Sequence, residues 1–244
     1  MTKLIGRFEP TPSRTPEECE RHYTSVHIRM AQNMLQGMDG FRSYHVNRAL
    51  AQADVGGGFA QQPRAWRFVI LRLVPGTELS FTPQQLETIF QDHVNCLYRL
   101  RQFEVDERVA FDARHRESLG MAKFLIEVAC GPDLGGAART AAFAQLADRV
   151  TEAMRSSFGA RLLIVDTVRN ESIGAPVDVE GQRIVGITED TRQAGYLECY
   201  FDHARWGREA LAPLVLDGRL SDDELSVAVL EVEEQLALDR TEPT

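Results

Sequence analysis

The stretch Thr15–Asn47, TPEECERHYTSVHIRMAQNMLQGMDGFRSYHVN, holds a helix and the strand that follows it. Thr15 suits a helix N-cap, Pro16 fits the first helical position where a missing N–H costs nothing, and Glu18 closes a capping box. Cys19, Tyr23, Val26, Met30 and Met34 follow at three- and four-residue steps and make one apolar stripe. At about 100° per residue, His27 falls roughly 50° from the centre of that stripe and His22 about 90° from it. The expectation is His27 in the half-dry layer under the helix and His22 nearer its wet edge. Gly40 turns the chain, and residues 41–50 read as a strand.

Working outward, Lys3–Glu9 is a short strand before the helix, and Ala65–Val74, AWRFVILRLV, is a β-branched and aromatic strand after it. Between the two later strands, residues 51–63 are Gly- and Gln-rich and unpatterned, an exposed hairpin tip or a lid. Thr82-Pro83-Gln84-Gln85 repeats the helix start signal, and Leu86, Ile89, Phe90, Val94, Leu97 and Leu100 give the second helix its stripe. His93 lies within roughly 30° of that stripe's centre. Residues 103–118 have no strict period and read as a frayed continuation of this helix with a loop; residues 121–130 read as a strand.

The remainder repeats the plan. Ala137–Phe158 is helical with Phe143, Leu146, Val150 and Met154 inward, and Gly159–Asp166 aligns with Gly40–Asn47. A polar insertion, 170–193, has room for a small hairpin around 177–185; a strand (195–202), a short helix (203–216) and a last strand (226–235) follow. The pattern implies an α+β fold of two ferredoxin-like βαββαβ units, 1–118 and 119–244, paired as a pseudo-dimer with helices on one face of each antiparallel sheet. Two such units need eight strands and the sequence displays seven. Residues 121–130 therefore either close the first unit or open the second, and a strand hidden in 103–111 would complete the set.

Composition narrows the function classes. The chain has 244 residues, 43% apolar and 26% charged, enough for one large domain or two small ones. Its formal net charge of −9 weighs against a nucleic-acid partner, since phosphate binding rests on Lys and Arg. No apolar run reaches membrane-spanning length, and the first residues lack a signal peptide's apolar core, so a cytoplasmic location is expected. Cys19, Cys96, Cys130 and Cys199 show no metal-binding spacing and read as small buried residues.

Residues 18–27, ECERHYTSVH, followed by Gly40-Phe-Arg-Ser-Tyr44, resemble the "F-x-x-H/Y-Y…H-x-P-L…G…R-x-Y" signature of EthD-like proteins. Asp106–Asp112, DERVAFD, resembles that family's "D-E-A-R-F-x-D" stretch. Two departures stand out: Ile28-Arg29-Met30 replaces the Pro-Leu after the histidine, and Leu146 or a near neighbour falls where a second-half histidine would. The resemblance implies a dimeric α+β barrel fold, with its site in the first half. The wider group includes cofactor-free monooxygenases, polyketide cyclases and dehydratases, and haem enzymes, so function has to come from the site.

The candidate catalytic residues are His27, Tyr23 and His93. A partly desolvated imidazole moves protons near neutrality, and a neighbouring Tyr hydroxyl can donate to a developing oxyanion. The plainer reading of each inward histidine is a core residue bonded to a carbonyl. On strand 41–50 either Tyr44 or the alternate pair His45 and Asn47 faces the cavity; Trp66 reads first as core and second as an aromatic substrate wall. Three functions follow. The leading one is a cofactor-independent enzyme performing proton transfer (cyclisation, dehydration or isomerisation) on a carbonyl-containing, aromatic or polyketide-like substrate. The others are an oxygen-using enzyme, cofactor-free or haem-bound, and a small-molecule carrier. A homodimer is the expected assembly.

Overall fold

The computed structural model describes residues 1–54, 58–61, 67–77, 79–115, 120–131, 133–172, 177–179, 182–184, 192–216 and 225–240. The first half runs β1 (Thr2–Pro10), α1 (Pro16–His22), a π turn (Tyr23–His27), α2 (Ile28–Gln36), β2 (Phe41–Ala53), β3 (Phe59–Gln61), β4 (Arg67–Leu73), α3 (Pro83–His93) and β5 (Leu97–Asp112). The second runs β6 (Ala122–Cys130), α4 (Gly136–Ser156), β7 (Ala160–Ser172), β8 (Val177–Val179), β9 (Gln182–Ile184), β10 (Arg192–Phe201), α5 (Ala204–Leu216) and β11 (Leu225–Asp239).

Eight strands pair in the order β11-β6-β10-β7-β5-β1-β4-β2, and β11 also pairs with β2, so the sheet closes into an antiparallel barrel. Among the main strands of each half the order is the same: β5-β1-β4-β2 and β11-β6-β10-β7, that is fourth, first, third, second. β8 and β9 form the small hairpin expected inside the 170–193 insertion.

Strand alternation sorts side chains to two faces. Ile5, Phe68, Ile70, Phe103, Val105, Leu125, Tyr196, Leu230 and Val232 fill the barrel interior as one cluster. The opposite face carries two further cores, one beneath α1, α2 and α3, the other beneath α4 and α5. Beside the interior cluster lies a buried ionic network. Lys3 Nζ donates to Glu107 at 2.6 Å, Asp166 at 2.8 Å and Glu198 at 2.5 Å, while Lys123 pairs with Glu198 and Glu234 and Arg72 with Glu107. Three cations (Lys3, Lys123, Arg72) thus face four carboxylates (Glu107, Asp166, Glu198, Glu234). Burial, reinforced by Glu198 and Glu107 and opposed by Lys3, pushes the Asp166 carboxyl up to about 8, which puts the compensating proton there.

Two expectations are corrected. Residues 103–118 do not continue a helix: α3 stops at His93, and Leu97–Asp112 is one strand. Its period was masked because Arg101 shares the buried positions with Leu97, Phe103 and Val105. This strand completes the set of eight, and β6 pairs with β10 and β11 rather than with any first-half strand. Val26, assigned to the inward stripe, is 46% exposed.

Candidate active site

Both helices of the first half begin as their sequences dictate. Glu18 N–H donates to Thr15 Oγ1 at 3.2 Å and Thr15 N–H donates to the Glu18 carboxylate at 2.9 Å; Thr82 and Gln85 repeat the box at 3.2 and 2.8 Å. What the sequence conceals is the π turn. Ile28 N–H bonds to Tyr23 O, five residues back, so one extra residue enters the helix without an extra turn. The inward positions slip by one. Cys19, Tyr23, His27, Ile28 and Leu35 are buried, which explains why Val26 is turned out and why His27 sits deeper than regular spacing predicts.

Across from this turn, α3 supplies Asp92. His27 Nδ1 donates to Asp92 Oδ2 at 2.5 Å, and His22 Nε2 donates to Asp92 Oδ1 at 2.8 Å. Burial works against the Asp92 charge, but hydrogen bonds and charge from His27 and His22 outweigh it and hold the carboxyl below its ordinary range. An ionised carboxylate only accepts, so the nitrogens that face it carry the hydrogens. In the neutral form of the His27 ring, this tautomer leaves Nε2 with the lone pair.

In front of the ring is a cavity of about 250 Å³ between the helices and the sheet. Leu4, Gly6, Phe8, Val69 and Leu71 form its floor, with Met30, Met34, Leu86, Ile89 and Phe90 among the helix residues facing them. Among the described residues its polar side chains are His27, His93, Tyr44 and Gln102, and no Lys or Arg lines it. The His93 ring centroid is 5.2 Å from that of His27, and burial, aided by His27, lowers His93 to about 3, so it stays neutral. The Tyr44 hydroxyl lies 3.2 Å from that of Tyr23, and burial raises Tyr44 to about 12 and Tyr23 further. Tyr23 is one step behind the cavity wall, its ring 4.6 Å from that of His27 with the Arg67 guanidinium 4.2 Å above it.

Of the residues singled out from sequence, His27, His93 and Tyr44 line the cavity together, and Tyr23 backs two of them. The parity of β2 is settled in favour of Tyr44. His45 and Asn47 point to the other face: Asn47 donates to Phe68 O at 3.4 Å, and His45 Nδ1 is 3.6 Å from Glu234. Trp66 lies outside the described residues. Sequence reasoning missed Asp92, Gln102 and Gly6. Asp92 was available in principle as the only acid among the last five residues of α3, facing the histidines of the other helix.

His27, Asp92 and His93 present three ligand atoms within 4.8 Å of one another, as do His22, Asp92 and Cys96. Both Asp92 oxygens already accept from imidazoles, so a cation here has to displace a hydrogen bond.

No family model matches this chain, and no curated protein matches it either. Solved structures do resemble it. An anthrone oxidase-like protein matches over 97% of this chain and 93% of its own, with 10% identity and a TM-score of 0.52. A provisionally assigned monooxygenase from Fusobacterium nucleatum covers 99% and 98%, with 12% identity and a TM-score of 0.47. Another from Lactobacillus acidophilus covers 97% and 96%, with 10% identity and a TM-score of 0.44. The first match establishes the fold, that of the dimeric α+β barrel proteins, and identities this low establish nothing about chemistry.

Proposed function

We propose that the chain is a cofactor-independent enzyme in which His27 removes a proton from a carbonyl-containing, ring-bearing substrate. The observation that carries this reading is the hydrogen bond between Asp92 and His27 Nδ1 on a ring that lines an apolar cavity: with Asp92 ionised, the neutral ring keeps Nε2 as its basic nitrogen. Cyclisation, dehydration and isomerisation can all begin with loss of a proton beside a carbonyl, and a positioned base contributes typically 10²–10⁴-fold to such a step. The charge that develops on the carbonyl oxygen needs a donor that does not ionise. Tyr44, backed by Tyr23, and neutral His93 meet that need in a mostly apolar lining.

The same reading assigns the site to residues 1–118 and makes 119–244 a second ferredoxin-like unit fused to the first. The repeated strand order supports it, and so does the aligned floor position: Gly6 of β1 corresponds to Ile126 of β6. The barrel closes within one chain, so no second copy is needed to complete it.

The fold-level likeness to an anthrone oxidase-like protein favours a second use of the same base, in which O2 oxidises the anion once His27 has formed it. Haem suits this cavity poorly. The volume of about 250 Å³ is below the usual range for drug-sized ligands, and among the described residues no Lys or Arg lines it to meet propionates.

The test is hydrogen–deuterium exchange in D2O, read by NMR on a panel of cyclic ketones and phenols. Wild type should exchange the acidic C–H of at least one compound, and a folded His27→Ala variant should not. Exchange retained in the variant removes His27 as the base, and binding without any exchange makes the chain a carrier. Oxygen uptake alongside exchange selects the oxidative version.

A further inference from the structure

We infer that the cavity takes a flat, uncharged two-ring compound with one oxygen function at the His27–Tyr44 end and a second at Gln102. This rests on the proposed function only for which end reacts; size, charge and polarity are argued from the cavity itself.

Size comes first. An apolar cavity of about 150 Å³ accommodates benzene, with six ring atoms. Scaled to the observed 250 Å³, the same packing holds roughly ten ring atoms, a fused bicycle rather than a single ring or three. Flatness comes from Gly6. It lies mid-floor, and a β-carbon there would stand 2.8 Å from Val69 Cγ2 and 3.3 Å from the Phe8 ring, so nothing projects from that position. A planar ring can lie flat across the strands.

Charge follows from the lining. An anionic group that enters leaves water without meeting a Lys or Arg, a penalty that normally forces pairing or neutralisation. Carboxylates and phosphates are therefore excluded, whereas phenols and ketones are not.

The two polar ends are placed by strand register. Tyr44 on β2 pairs with Leu71 on β4, Leu71 with Leu4 on β1, and Leu4 with Glu104 on β5. Gln102 is two residues along β5 from that row, facing the same side as Leu4 and Gly6. Three strand spacings of about 4.8 Å separate β2 from β5, roughly 14 Å of floor between the two backbones. An amide offers both donor and acceptor, so Gln102 can hold a hydroxyl or a carbonyl.

The experiment is isothermal titration of the intact chain with 2-naphthol, 2,6-dihydroxynaphthalene, 6-hydroxy-2-naphthoate and 2-hydroxyanthracene, repeated on Gln102→Leu. The dihydroxynaphthalene should bind about 2- to 10-fold tighter than 2-naphthol, the gain from one added hydrogen bond. The naphthoate should bind at least about 100-fold more weakly, through the unpaired buried charge. Gln102→Leu should erase the preference for the diol over 2-naphthol. The inference is overturned by naphthoate binding on a par with the diol, by tighter binding of the anthracene, or by an undiminished diol preference in the variant. Naphthol binding in this order with no proton exchange refutes the base and keeps the ligand class; exchange confined to charged or tricyclic compounds does the reverse.

Discussion

Replacing Asp92 by Asn isolates what the carboxylate does, because the two side chains have almost the same shape. Asp92 accepts from His22 Nε2 at 2.8 Å and from His27 Nδ1 at 2.5 Å, and is 7% exposed. An amide has one acceptor oxygen and one donor nitrogen, so it cannot accept from both rings. Whichever histidine meets the NH2 must present a bare nitrogen. Where that is His27, its hydrogen moves to Nε2 and the cavity faces a donor instead of a base. Comparable loss of a tautomer-fixing carboxylate costs about 10⁴ in turnover. Both charge-assisted bonds become neutral ones, which puts the stability loss at about 2–3 kcal/mol. The Asp92 carboxyl ionises below its ordinary value in the folded chain, so its stabilisation is present above about pH 4 and fades as pH falls through the folded value. The gap between wild type and variant should narrow in acid accordingly. The assay needs no substrate: long-range ¹H–¹⁵N spectra of the histidine rings report which nitrogen of His27 carries hydrogen, and urea titration gives the stability difference. A wild-type His27 protonated at Nε2, with a bare Nδ1, refutes the reasoning, as does a variant with unchanged spectra.

His93 folds neutral, with its pKa lowered to about 3, while the unfolded chain takes up a proton below about pH 6.5. Wild type should therefore lose about 2 kcal/mol more than His93→Leu between pH 7 and pH 5, read from urea midpoints at the two values. Asp166 is the opposite case: raised to about 8, it keeps its proton in the fold after the unfolded chain has lost one. Stability should fall with rising pH from about 4 to about 8, by up to roughly 1.4 kcal/mol per unit, and Asp166→Asn should flatten that slope in the same titration. Gly6→Val crowds Val69 and fills the floor; about 1–3 kcal/mol of stability and all 2-naphthol binding should go, by denaturation and calorimetry. Deleting exposed Val26 should remove the π turn while Cys19, Tyr23 and Leu35 stay inward; a folded variant with His27 still bonded to Asp92 by NMR would refute the link between turn and site.

The sequence displayed most of the barrel because its strongest signals are local. Thr15-Pro16 and Thr82-Pro83 announce helices whose caps depend on four residues each, and the β-branched runs need no partner to be recognised. Three things were out of reach, each for a physical reason. β5 carries Arg101 on a buried position among Leu97, Phe103 and Val105, which breaks the apolar alternation that would mark a strand. The π turn depends on one hydrogen bond shifted by one residue, and no periodicity computed at 100° registers it. Asp92 could be noticed as the one acid near the end of α3, but its role stayed hidden because its partners are 65 and 70 residues away and an acid on a helix usually faces water. His27, His93 and Tyr44 were legible as inward residues; their convergence on one cavity was a matter of topology.

The asymmetry between the halves then has a concrete cause. The floor of the first half is open where Gly6 stands, while β6 places Ile126 at the aligned position, fully buried. On β10, Gly195 lets Phe143 of α4 descend onto the sheet: a β-carbon there would be 2.2 Å from the Phe143 ring and 2.6 Å from Asp166 O. Glycine thus opens a cavity in one half and lets an aromatic ring fill the space in the other. The filled half still contributes, because Asp166 and Glu198 on β7 and β10 hold Lys3, whose strand also carries Leu4, Gly6 and Phe8 on its opposite face. The cavity floor is accordingly anchored from behind by residues of the second half. A base that must keep one nitrogen aimed at its substrate benefits from that fixed floor.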